Sequence, residues 1–383
     1  MRDIDIPLPI ARTLLNPLFR VILNDRLPWR VQRMLMDIGS RAQLVPGDTV
    51  VHRLRLAGRP AERIAARRGP AVSDQRHSRV PAWSRSATSS GPVAHTAVSD
   101  QRHSRVPAWS RSATSSGPAT HTAVSDQRHS RVPAWSHSAT SSGPATHTAV
   151  GAVLYLHGGG YAVGSMTTHR SLAARLAHET GCAVYLLDYR LAPEHPFPAA
   201  LDDAETAFLE LVREAGYRPD QIAIAGDSAG GGLSLATAQR LIGRHGMTPA
   251  ALGLIAPWTD PNQIPDRDRD LVINKSWSRS CAAAYLGGAD GNDPGYAPLR
   301  GELRGLPPTY VQVDVSELLH AQCVELVAGL RGAGVHVRFT ESHGLWHVAQ
   351  LQASLVGPAA AAVRELADFL REAAQPVSVR DLG

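Results

Sequence analysis

The sequence predicts an α/β fold, a mostly parallel central sheet with helices on both faces. Three observations carry that reading. From residue 149 onward, short apolar runs alternate with longer helix-like patterns. The runs are continuously apolar or nearly so, as strands covered on both sides must be. A serine set among small residues, "AIAGDSAGGG" at 223–232, then stands where one run gives way to a helix. Strands that alternate with helices build a parallel sheet, because each connection crosses a face and covers it.

The elements follow in order. Residues 1–45 read as amphipathic helices rich in Leu, Ile and Met. "TVVHRLRL" and "AERIAA" surround Ala57-Gly58-Arg59-Pro60 and read as a hairpin at the sheet edge. Strands are expected at 152–157, 182–188, 221–226, 251–257, 309–314 and 335–341. Before the last of these, Leu319, Cys323, Leu326, Val327 and Leu330 make one apolar helical stripe that stops at Gly332. Residues 258–305 interrupt the rhythm with Pro, Asp and Trp. The expected organisation is N-terminal helices at 1–45, a main domain from 46–70 and 149–383, and an insert at 71–148.

That insert is a tandem repeat. "AVSDQRHSRVPAWSRSATSSGPVAHT" (71–96) recurs at 97–122 and at 123–148 with few changes, such as Arg111 against His137. Each copy offers Val, Ala and one Trp among many Ser, Thr, Arg and Pro. So little apolar surface does not offset the roughly 1–2 kcal/mol per residue that backbone ordering costs. The expectation is an unstructured surface insert, placed where a long loop closes at little entropic cost.

The repeats also explain the charge. The chain has 39 Lys+Arg against 34 Asp+Glu, a net +5, but eight Arg and three Asp lie in the repeats. The rest is balanced, so the basic excess points to no nucleic-acid partner. At 383 residues with 43% hydrophobic content, the chain can bury a full core. Cys182, Cys281 and Cys323 form no C-x-x-C pair, which argues against a disulfide framework and a zinc site. No metal or cofactor is expected. The first residues, "MRDIDIPLPIARTLLNPLFRVILNDRL", are broken by Asp, Pro and Arg, so neither a signal peptide nor a membrane-spanning helix is read. A cytoplasmic location is the default expectation.

The chemistry begins at Ser228. A serine on a tight strand-to-helix turn takes up a strained backbone, which needs small neighbours two before and two after; Gly226 and Gly230 supply them. The hydroxyl is thereby lifted above the sheet beside a helix N-terminus, where a developing oxyanion is favoured. A second signal is "YLHGGGYAVGS" (155–165), a strand followed by three glycines. The Gly158 and Gly159 N–H groups, with that of Ala229, can hold an oxyanion, and one such donor is typically worth about 10²–10³ in rate. The loop lacks the lysine and Ser/Thr of a phosphate cradle and is not G-x-G-x-x-G. His157 is read as orienting the loop. The serine needs a base, and His320, His336, His343 and His347 are available downstream. His336 falls in an expected strand; His343 and His347 lie in the loop after it. Asp314 and Glu317, in "VQVDVSELLH", compete for the acid's place. Asp314 finishes a strand, and it or Ser316 can cap the following helix, whereas Glu317 falls at the strand's exit.

Together "HGGGY" (157–161), "DYRLAPEHPFPAAL" (188–201), "GDSAGG" (226–231), "GLPPTYVQV" (305–313) and "WHVAQ" (346–350) resemble the hormone-sensitive-lipase-like bacterial carboxylesterases of the α/β-hydrolase fold. The resemblance covers most of 1–70 and 149–375. It implies a helical cap from 1–45 and 258–305, His347 as general base, and Glu317, thirty residues upstream, as the acid. It implies a Ser-His-Glu hydrolase of short- to medium-chain acyl esters, with a small-molecule ester or lipid as substrate. "DYRLAPEHPFPAAL" is then a support for the oxyanion loop, with Arg190 and its prolines fixing it. The alternative is a non-catalytic ligand-binding protein on the same fold; such proteins tend to lose the base, and His347 is present.

Overall fold

Continuous apolar runs become the middle of one eight-stranded sheet. The computed structural model describes residues 5–41, 43–67 and 151–373. The repeats at 71–148 lie outside the described residues. Two helices come first, α1 (Leu8–Ile22) and α2 (Trp29–Ser40), then the hairpin β1 (Thr49–Leu56) and β2 (Arg59–Ala66). The alternating part runs β3 (Ala152–Leu156), α3 (Met166–Thr180), β4 (Ala183–Leu187), α4 (Ala199–Arg213), β5 (Ile222–Asp227), α5 (Ala229–His245) and β6 (Leu252–Ile255). It continues with α6 (Lys275–Leu286), β7 (Thr309–Asp314), α7 (His320–Gly332), β8 (Val337–Ser342) and α8 (Gly357–Ala373).

The strand order is β1-β2-β4-β3-β5-β6-β7-β8. Strands β3 to β8 pair in parallel, and the hairpin joins β4 antiparallel. Side-chain alternation splits the core in two. Leu154, Leu156, Ile222 and Ile224 pack with Phe208 of α4, Leu233 of α5 and Leu326 of α7. Val153, Tyr155, Ala223 and Ala225 face the other way, against Leu172 of α3 and Leu366 of α8. Both faces are therefore sealed, and truncating a core side chain such as Leu154 to Ala costs about 2–5 kcal/mol.

Two local expectations change. The hairpin turn is two residues, not four: Ala57 (φ 53°) and Gly58 (φ 64°) both have positive φ, the turn whose twist matches paired strands. Pro60 belongs to β2, where its lack of an N–H is harmless and its carbonyl accepts from Asp188 N–H. The last strand begins at Val337, so His336 lies just outside it and is exposed. As an edge strand, β8 is only partly buried, unlike β3 to β7.

Residues from 1–45 and 258–305 meet each other. Trp277 Nε1 of α6 donates to Gln32 Oε1 of α2 at 2.8 Å, and Asn274 Nδ2 donates to the Leu23 carbonyl after α1. Gln32 is fully buried, and its amide nitrogen donates to the carbonyls of Asn24 and Leu27, so none of its polar atoms is left without a partner.

Candidate active site

Strand β5 ends at Asp227 in the centre of the sheet, and α5 starts at Ala229. The residue between is Ser228, with φ 51° and ψ −120°. A side chain rarely adopts such a backbone, and strain of this kind, roughly 1–3 kcal/mol, persists only where the surroundings enforce it. Here they do. Ser228 N–H donates to Ile255 O, and Ser228 O accepts from both Gly232 and Trp258 N–H. The turn is packed so closely that a methyl group on Gly230 would lie 2.1 Å from Leu156 O, and one on Gly226 would lie 2.4 Å from Gly230 O.

The base and the acid arrive from neighbouring strand ends. The loop after β8 carries His347, and the turn after β7 carries Glu317. His347 Nε2 is 2.9 Å from Ser228 Oγ, and His347 Nδ1 is 2.7 Å from Glu317 Oε2. All three side chains are buried. The other Glu317 oxygen accepts from Asp314 N–H at 2.7 Å, which fixes the carboxylate's orientation. Burial alone would lower the His347 pKa, but the hydrogen bond and charge of Glu317 outweigh it and hold it above the ordinary value. Burial raises Glu317, and the facing imidazole and the Asp314 N–H only partly restrain it.

Asp314 does a different job from the one its position suggested. The N-terminus of α7 has no side-chain cap. Asp314 Oδ1 instead accepts from the N–H and hydroxyl of Ser316, and Oδ2 accepts from Ser342 Oγ and Leu345 N–H. It thus ties the exit of β7 to the loop that carries His347. Asp270, which the sequence did not single out, adds a second tie: its Oδ2 accepts from Leu318 N–H, next to Glu317. The remaining histidines stand apart. His343 is exposed, and His320 pairs with Glu341 at 2.6 Å.

The glycine loop requires one correction. Gly158 N–H is not open to a ligand, because it donates to Asp227 Oδ1 at 3.1 Å. A buried carboxylate takes the nearest donors, and this is one of them. The N–H groups of Gly159 and Gly160 have no acceptor among the described residues, and Ala229 N–H is at the free first turn of α5. The open donors are therefore Gly159, Gly160 and Ala229.

Asp227 also accepts from Tyr155 O–H at 2.9 Å and faces His169 Nε2 at 3.2 Å. Burial would raise its pKa, yet His169, Tyr155 and His157 outweigh that and keep it below the usual range. His157 is the loop's anchor, as expected. Its Nδ1 lies 2.8 Å from Gly158 O, and its ring stacks on Tyr189 at 4.3 Å. Burial first, then His169, lowers its pKa to about 3, so it stays neutral and is no competitor for the base. Tyr189 O–H donates to His157 O, while Arg190 binds Asp203 through Nε and Nη2 and donates to Ala199 O. The "DYRLAPEHPFPAAL" segment thereby supports the loop from below.

This geometry has clear parallels. A family model described as the alpha/beta hydrolase fold matches residues 153–351. The chain belongs to the hormone-sensitive-lipase-like esterase family of that fold. Among its relatives is an acetyl-hydrolase of Streptomyces hygroscopicus, 38% identical over 226 residues, which cover 58% of this chain and 75% of the relative. Another is the carboxylesterase/phospholipase LipF of Mycobacterium tuberculosis, 37% identical over 236 residues, covering 58% of this chain and 62% of that one. The crystal structure of an esterase from the bacterial hormone-sensitive lipase family superposes with a TM-score of 0.70 at 28% identity, covering 95% of this chain and 98% of the other. As a member of this esterase family, the protein is a carboxylic ester hydrolase. Among the described residues, no helix is long and apolar enough to cross a membrane.

Proposed function

We propose that the protein hydrolyses short- to medium-chain acyl esters through a Ser228–His347–Glu317 triad and an acyl-enzyme. The observation that carries this is the pair of hydrogen-bond contacts that His347 makes, one nitrogen to the Ser228 hydroxyl and the other to Glu317. Ser228 Oγ attacks the ester carbonyl while His347 Nε2 takes its proton. The C–O bond to the alcohol then breaks, and the same proton passes to the leaving oxygen. Water attacks the acyl-enzyme by the same route in reverse, and the carboxylic acid leaves. Glu317 holds the imidazole's Nδ1–H and stabilises the imidazolium. The oxyanion lies against the N–H groups of Gly159, Gly160 and Ala229, in place of the set that included Gly158. Helices α1, α2 and α6 form the cap that sets acyl length. The name of the Streptomyces relative, an acetyl-hydrolase, supports the short end of that range.

Replacing Ser228 by Ala should cut turnover of p-nitrophenyl acetate and butyrate by on the order of 10⁴ or more. Unchanged turnover would refute the triad. Binding of the ester without turnover by the wild-type chain would favour a ligand-binding protein instead.

A further inference from the structure

Helix α1 is apolar on two faces but covered on only one. Ala11 and Ile22 are buried against the body, and Arg12 Nη1 donates to Gly344 O at 2.9 Å. A neighbouring stripe, Ile10, Leu14, Leu18 and Val21, is 45–65% exposed. These positions recur every three or four residues, so they form one continuous face. On α2, Met34 and Ile38, one turn apart, are 53% and 52% exposed. Eight of the eleven large apolar side chains that stand exposed among the described residues lie between 10 and 45. Scattered exposed apolar residues are ordinary; this concentration is not.

The exposed charges of the same segment are mostly positive. Arg20, Arg26, Arg30 and Arg41 are exposed. Helix α1 has no acidic residue. Of the described acids of residues 5–45, Asp37 is half-buried and accepts from the Ser165 hydroxyl, while Asp5 and Asp25 are exposed but engaged, accepting from Gly357 N–H and from the Ser276 hydroxyl. What faces outward is therefore apolar side chains with four arginines against two acids, a net positive balance. A helix of that composition lies in the plane of an anionic lipid surface, its apolar face among the acyl chains and its arginines at the phosphates.

We propose that α1 and α2 form a docking face for an anionic lipid surface. The face is joined to the catalytic loop, because Arg12 holds Gly344, three residues before His347. Docking would present the site to esters carried in that surface, and to this extent the inference rests on the hydrolase reading above.

The test is flotation of the full chain with phosphatidylcholine vesicles and with vesicles containing phosphatidylglycerol. Binding is expected to the anionic vesicles, to be weaker to the neutral ones, and to be released by salt. The double substitution Leu14→Glu with Leu18→Glu should weaken that binding at least about tenfold. Its thermal unfolding midpoint should match that of the wild type, since both leucines are exposed, and this shows that the variant is folded. Arg20→Glu with Arg30→Glu should lower anionic binding by itself. Ser228→Ala should dock like the wild type, so loss of chemistry and loss of docking are separable. Failure of the wild type to bind anionic vesicles would overturn the proposal. So would a wild-type dimer that the leucine variant splits, since the face would then belong to a second copy of the chain.

Discussion

Asp227, the residue before the candidate nucleophile, accepts the Gly158 N–H at 3.1 Å and so links the tip of β5 to the loop after β3. The serine and the loop that offers Gly159 and Gly160 are thus registered by one carboxylate. Asp227→Asn keeps the volume but weakens the acceptor and its pairing with His169 and Tyr155. The expected result is a kcat for p-nitrophenyl acetate about 10–100-fold lower, with KM little changed, because oxyanion donors act mainly in the transition state. A rise in KM alone would mean that Asp227 positions substrate and not the oxyanion loop.

Glu317 and Asp314 are three residues apart and should respond differently. Glu317→Gln removes the charge that faces His347 Nδ1, and a loss on the order of 10²–10⁴ in kcat is expected. Asp314→Asn leaves that contact intact but weakens four hydrogen bonds around the loop, so its main effect should be on stability, about 1–3 kcal/mol in urea unfolding. Kinetics and unfolding of the two variants side by side decide the matter; the reverse order of rate losses would make Asp314 the acid.

This pair also shows what the sequence could and could not reveal. Ser228 stood out through its glycine-flanked turn, whereas the residues alone left His343 beside His347 and Asp314 beside Glu317, and it was the family resemblance that pointed to His347 and Glu317. The role of Asp314 was not legible, since its partners Ser342 and Leu345 come from another strand end. Gly158 was misread for a similar reason. Three adjacent glycines look alike in sequence, and which N–H stays open depends on Asp227, 69 residues away. His169 and Tyr155 carried no visible signal, as a histidine in a helix and a tyrosine in a strand are ordinary core residues. The strands covered on both faces were read well, while β8 and the hairpin turn depended on edge exposure and on φ, which residue type only partly encodes.

The pH profile should carry the His347 shift. The base acts in its neutral form, so activity falls as pH drops through its pKa. Glu317 holds that pKa above the ordinary 6.5, so the acid limb of kcat/KM should lie above about 6.5. In Glu317→Gln the largest raising influence is gone, while burial and the smaller raising effects of Asp270 and Asp227 remain, so the residual activity should have its acid limb at lower pH. A limb that stays in place would assign it to another group.

Gly230→Ala should destabilise the fold as well as the site. The new methyl group would meet Leu156 O at 2.1 Å, a backbone atom of the central strand that has no room to yield. Overpacking of this kind costs about 1–3 kcal/mol or more, which thermal unfolding would detect. Gly243→Ala, in open space on the same helix, is the control and should be neutral or slightly stabilising.

The most direct measurement is the site of covalent modification by a serine-reactive organophosphate, mapped by mass spectrometry on the intact chain and its peptides. A single adduct on Ser228, formed rapidly in the wild type and slowly in His347→Ala, is the result expected. An adduct on another residue, or labelling of Ser228 that does not depend on His347, would contradict the triad.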